Sequence, residues 1–262
     1  MSAMRALLPK EHGAYGQLVF PLVTVYAVTG PSAAGVLLGV AAVGGCLAHE
    51  PAAVMLGHRG SRARRELSSV AVRWLFACAA TGCVAAVGAT FVIRSEVRWS
   101  LVVPAVAALV VGGLMLVGRE KSWYGEMAAA CAFSGVTIPI ALAAGARIDV
   151  ALTVAIPFAL LFTMTTLAVH VVILRVRNGG DAVLVATTRR ATFTVAAIST
   201  ISLGVMTAAG YLAPAVTAAS APGIATAVLV AARPPSPARL RTLGWSLVAV
   251  SALTALIVVG IA

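Results

Sequence analysis

The chain has 262 residues, 61% hydrophobic and only 10% charged, with a mean hydropathy of +1.02 and a formal net charge of +11. A soluble domain of this length carries about 25% charged residues, so the 19 basic and 8 acidic side chains present cannot cover a water-exposed surface. Soluble, disordered and coiled-coil classes are thereby excluded, leaving an all-α polytopic membrane protein whose basic excess becomes a question of placement.

A helix needs about 20 predominantly apolar residues to cross a bilayer. In chain order this rule predicts nine spans in one transmembrane domain over 1–262, at roughly 12–30, 33–57, 70–93, 100–117, 122–145, 149–175, 191–211, 213–232 and 242–262. The first is expected to be an uncleaved span and not a signal peptide. Short turns are expected at Gly145–Ile148 and Tyr211–Pro214, and the longest polar stretches are His58–Ser69, Val176–Arg190 and Arg233–Arg241. Cys46, Cys78, Cys83 and Cys131 all fall in apolar runs without a CxxC pair, so they read as small packing residues. Prolines recur within the spans, and Gly35-x-x-x-Gly39 in the second offers a small-residue face for close helix packing.

Counting Lys and Arg on alternate sides sets the orientation. With the N-terminus inside, 16 basic residues fall on the cytoplasmic side and three, Arg94, Arg98 and Arg147, on the other. The positive-inside rule therefore predicts N-terminus in and C-terminus out. The abundance of alanine and the preference for arginine over lysine suggest a bacterium, hence a bacterial cytoplasmic membrane.

The ionisable residues follow the arginines to that side. All four histidines and six of the eight acids map there, although carboxylates contribute little to the positive-inside rule. Glu11-His12 opens the first span and His49-Glu50 lies near the cytoplasmic end of the second, so antiparallel neighbours can bring the two dyads to one depth. Tyr15 shares a helical face with His12. Glu126 stands a turn into the fifth span, and His170 ends a Thr163–Thr166 stripe in the sixth.

Desolvation within a span is costly, so His49, Glu50, Glu126 and His170 are the expected acid/base core, with Glu11 and His12 in support. The same four are candidate ligands for a divalent metal, although no H-E-x-x-H run is present. Glu11, Glu120 and His58 read equally well as snorkelling or interfacial residues. Arg59, Arg62, Arg64 and Arg65 are either an orientation signal lying against anionic lipid or, helped by Arg175, Arg177, Arg189 and Arg190, a collar for a phosphate-bearing head group. Nucleic acid is not an expected partner, because these cations lie at a membrane surface without a stacking platform.

The opening Pro9-Lys10-Glu11-His12-Gly13-Ala14-Tyr15-Gly16 resembles the start of the YwiC-like bacterial membrane proteins. Glu50-Pro51 and the arginine-rich segment after the second span fit the same resemblance, which implies topology more than activity. A more distant resemblance is to UbiA-type intramembrane prenyltransferases, which have nine spans, an N-in arrangement and a cytoplasmic active site after spans two and six. Their first motif is Asn-Asp-x-x-Asp-x-x-x-Asp, whose carboxylates hold magnesium on a diphosphate. His49-Glu50 stands where Asn-Asp would be, but Ala53 and Gly57 occupy the next two acidic positions. This resemblance implies a UbiA-like bundle without the standard magnesium–diphosphate chemistry.

Three functions fit these residues: a membrane enzyme acting on a lipid or isoprenoid, a small proton- or cation-coupled transporter, or a non-catalytic assembly protein. Beyond Tyr26, Thr137 and Thr163 the outer halves of the spans are almost wholly apolar. That pattern favours a one-sided pocket, and so an enzyme or binding protein over a transporter.

Overall fold

The computed structural model describes residues 7, 12–177, 181–236 and 239–261, and these are helical apart from short connections. The helices are α1 (His12–Thr29), α2 (Ala33–Met55), α3 (Gly60–Val92), α4 (Val102–Leu116), α5 (Trp123–Gly135), α6 (Thr137–Ala143), α7 (Ile148–Arg177), α8 (Ala182–Ala208), α9 (Pro214–Ala232) and α10 (Leu240–Ile261). A 3-10 helix, Ser95–Leu101, leads into α4, and α5 and α6 together form one span broken at Val136.

The nine expected spans are present as helices, and eight of them are long and apolar enough to cross a membrane. The exception is α1, whose apolar part among the described residues is only Tyr15–Thr29, shorter than the bilayer rule asks. Both expected short turns form, with Gly145 at φ +90° and Gly210 at φ +77° reversing the chain in a backbone region that favours glycine.

The arginine-rich segment departs from expectation. It is not a loop: Gly60 starts a helix of 33 residues, and Arg62 to Arg65 fill its first two turns. Arg, Ala, Glu and Leu are good helix formers, and Arg62 Nε donates to Glu66 Oε1 at 2.8 Å one turn on. Since about 20 residues suffice to cross, the first turns of α3 extend beyond the apolar layer. From Ala182 the polar stretch before the seventh span likewise belongs to α8, whose start is capped by Asp181 accepting from the Val183 and Leu184 amides.

The core sits on α7, which packs against α1, α5, α6, α8, α9 and α10. Phe158, Leu161, Met164, Val171 and Val172 are fully buried along it. At the periphery, α3 packs chiefly on α2 and turns Phe76, Val84 and Phe91 outward, as α4 does with Leu109 and Leu116. In water such surfaces would aggregate, whereas in a bilayer they are the lipid contact.

Close packing replaces the hydrophobic effect between helices in lipid. One close crossing joins α2 and α3, where a methyl on Gly44 would stand 2.9 Å from the Cys78 carbonyl and 3.0 Å from Gly82 Cα. Gly35 and Gly39 also admit close helix approach, as expected: a methyl on Gly35 would stand 3.3 Å from Ile140 Cγ2 of α6, and α1 lies against Gly39. Tyr26 of α1 lies against Gly39 and donates its hydroxyl to the Gly35 carbonyl at 2.8 Å. Cys46 and Cys78 are buried packing residues as expected, but Cys83 and Cys131 are exposed on the helix surface, which an apolar thiol tolerates in lipid.

Candidate functional site

Two connections meet at one end of the bundle and build a buried ionic network. The first is the turn that ends α2. Leu56, Gly57 and His58 donate their amides to the carbonyls of Ala52, Val54 and Ala53, and Gly57, at φ +86°, folds the chain back. His58 and Arg59 are thereby laid along the last turns of the helix that carries His49 and Glu50. Arg59 grips Glu50 with two parallel bonds, Nε to Oε2 at 2.9 Å and Nη2 to Oε1 at 2.7 Å. This forked geometry is the strong form of an arginine–carboxylate pair.

The second connection runs from α4 to α5. Gly118, at φ +69°, turns the chain, and the Arg119 amide bonds the Leu114 carbonyl at 2.8 Å. Ser122 then caps α5 by accepting from the Gly125 amide at 3.2 Å. The loop so shaped delivers Glu120 to the first turn. Glu120 Oε1 lies 3.3 Å from His58 Nδ1 and 3.6 Å from Arg59 Nη1. At 6% exposure its side chain is the most buried charge of the group, and Oε2 has no hydrogen-bond partner. Arg119, outside the spans, donates to the Tyr124 hydroxyl at 2.9 Å, which favours its charged form.

His49 is the more accessible of the two imidazoles, at 33%, with Nδ1 3.9 Å from Glu50 Oε1. It also feels the charges of Arg59, Glu120 and Lys121. Tyr15, half-buried on α1, is close enough to Glu50 to sense its charge. The result is a nearly balanced set of two carboxylates, one clamped guanidinium, a nearby ammonium and two imidazoles.

One glycine holds this geometry. A methyl on Gly125 would come within 2.5 Å of the Arg119 carbonyl oxygen and 2.6 Å of that of Glu120, backbone atoms that cannot rotate aside. Gly125→Ala should therefore displace the loop that presents Glu120 and cost about 1–3 kcal/mol by overpacking. A lowered melting temperature in detergent checks this, and an unchanged one would show that Glu120 is not held by that turn.

Beside the network lies an apolar cleft of about 590 Å³ between α1, α2 and α3. Leu22 and Tyr26 line it from α1, Val36, Val40, Val43 and Leu47 from α2, and Trp74 and Ala77 from α3. The α2 residues recur every three or four positions, and Glu50 is the next step of the same stripe. Val36, Val40, Val43 and Ala77 are exposed, so the cleft opens sideways, toward lipid.

The expected site residues divide. His49, Glu50, Arg59 and Tyr15 gather at the network. Glu126 and His170 lie on the neighbouring helices α5 and α7, which touch at Cys131 and Thr163 at 3.8 Å. Among the described residues no three His, Cys, Asp or Glu side chains are grouped to hold a metal ion. The candidate ligands His49, Glu50, Glu126 and His170 are thus not assembled as one set, and the Glu50 carboxylate is taken up by Arg59. Arg59 is correspondingly a clamp inside the protein and departs from its expected place in an outward collar. Arg64, Arg65 and Arg175 are exposed, and so is Arg62 with its partner Glu66. Glu11 lies outside the described residues, and His12 enters only as the first residue of α1. The members read no further than interfacial were His58 and Glu120, because each stands alone in a polar connection and only the fold joins them.

Fold and site together define a polytopic helical membrane protein with a buried ionic network at one end of its bundle. Residues 8–141, just over half of the chain and all of the network, match the family described as YwiC-like protein. The chain belongs to that family. No curated protein and no solved structure matches it, and the comparisons give no support to the UbiA-type resemblance.

Proposed function

We propose that the protein handles a lipid or isoprenoid at the cytoplasmic leaflet, holding the hydrocarbon chain in the α1–α2–α3 cleft and the head group beside the ionic network. One observation carries this reading: the cleft and the network share α2, with Glu50 one turn beyond the cleft-lining Leu47. The apolar walls suit a hydrocarbon chain and not an ion, and the sideways opening suits a ligand that arrives from the bilayer.

In this reading His49, the most accessible imidazole, moves a proton at the head group, and Glu50 orients it while Arg59 fixes Glu50. Tyr15 offers a hydroxyl from the facing helix. Arg62, Arg64, Arg65 and Arg175 would receive a phosphate at the membrane surface. Glu126 and His170, with Glu11 and His12, would complete the polar end.

The test fills the cleft without touching the network. Ala77→Trp sets an indole where a methyl now faces the cavity. Mass spectrometry of lipids retained through purification should find a defined isoprenoid or acyl lipid with the wild-type protein. The variant should lose most of it while melting normally. Equal lipid in both, or only bulk membrane lipid in the wild type, would overturn the proposal.

A further inference from the structure

We propose that the cavity lined by Arg233 at the end of α9 and Arg239 before α10 is a binding site for the phosphodiester head group of an anionic membrane phospholipid, separate from the α1–α2–α3 cleft. This second cavity, of about 280 Å³, lies between the end of α9 and the start of α10. Leu229, Val230 and Leu243 form its apolar wall, Arg233 and Arg239 bring two guanidinium groups, and Thr242 adds a hydroxyl. The turn is stiffened by Pro234 and Pro235 and closed by the Arg239 amide donating to the Ser236 carbonyl at 2.9 Å.

The charge of this region points to the ligand. Residues 182–262 contain five arginines and not one Asp or Glu. Elsewhere Arg59, Arg62 and Arg147 sit against carboxylates. Among the described residues no carboxylate lies within ion-pairing distance of Arg233 or Arg239. Two forked donors and a hydroxyl around one cavity match the tetrahedral oxygens of a phosphodiester.

The apolar wall identifies the source as a lipid. Leu229, which lines the cavity from α9, is exposed, as is Trp245 on α10, so both helices present apolar surface to lipid near it. An acyl chain can follow that path, whereas a soluble phosphate has no use for it. With the orientation favoured by the arginine distribution, the turn faces the cytoplasmic leaflet, whose surface is anionic.

The experiment uses the full chain and native mass spectrometry with phosphatidylglycerol or phosphatidylcholine. Wild type should retain one phosphatidylglycerol in preference to phosphatidylcholine. The pair Arg233→Gln/Arg239→Gln should lower that occupancy about tenfold. The pair Arg189→Gln/Arg190→Gln, equal in charge lost and drawn from the same acid-free segment, should leave it unchanged. Arg233→Lys/Arg239→Lys, which keeps charge but loses the fork, should fall between. Equal loss in both glutamine pairs would mean general attraction and overturn the site, as would no loss in either. Displacement of the lipid by soluble glycerol phosphate at matching concentration would overturn the lipid as the source.

Discussion

Replacing Arg59 with methionine should destabilise the protein by about 3–5 kcal/mol, the usual cost of removing one member of a buried ion pair. The loss does not measure the worth of the pair. It reflects what remains: Glu50 and Glu120, both largely withdrawn from solvent, with their shared cation gone. Glu120 is the more exposed to this penalty in energetic terms, because its side chain is only 6% accessible and Oε2 already has no partner. Neutralising the carboxylates should therefore rescue the variant. Arg59→Met combined with Glu50→Gln and Glu120→Gln should regain most of the lost stability, since a neutral set is often as stable as the ionic one. Arg59→Lys should be intermediate, keeping the charge but losing the fork to Glu50. Thermal unfolding in detergent, followed by size-exclusion chromatography, reads all three. A cost below about 1 kcal/mol for Arg59→Met would place the pair among weak surface ion pairs and remove the network as an organising element.

That network also marks how far the chain can be read without its fold. The spans were legible because hydropathy reports the bilayer directly, and eight of the nine expected have the length and apolarity to cross. Their ends were not, because hydropathy finds where a helix enters lipid and not where it begins. Gly60 to Ser69 is helical yet polar, so hydropathy alone leaves it outside the span. Glu50 was picked out by its place inside an apolar run. His58, Arg59 and Glu120 took their roles from two turns, at Gly57 and Gly118, that lie about 60 residues apart. No local pattern connects them. The glycines show the same limit: Gly35 and Gly39 fit the small-residue spacing and take α6 and α1, whereas Gly44 and Gly82, which no such spacing joins, make the α2–α3 crossing.

Gly44 is where the second large effect is expected. Gly44→Leu should unseat α3 from α2, because its Cβ would meet the Cys78 carbonyl at 2.9 Å and the Gly82 backbone at 3.0–3.1 Å. Neither obstacle is the end of a flexible side chain, so the helices themselves must separate. Overpacking costs about 1–3 kcal/mol where a core can adjust. The cost here should reach at least the top of that range, since α3 packs chiefly on α2 and has few other contacts to hold it. Gly45 supplies the control: a Cβ there meets nothing within 4 Å, so Gly45→Leu should be tolerated. Both substitutions raise helix propensity and apolarity alike, and only the direction of the side chain differs. Because α3 also forms one wall of the apolar cleft, Gly44→Leu should release the retained lipid along with the stability, while Gly45→Leu keeps both. If the two variants melt together, the α2–α3 crossing is looser than the Gly44–Gly82 contact requires. If Gly44→Leu loses stability but keeps its lipid, the ligand is held somewhere other than between these helices.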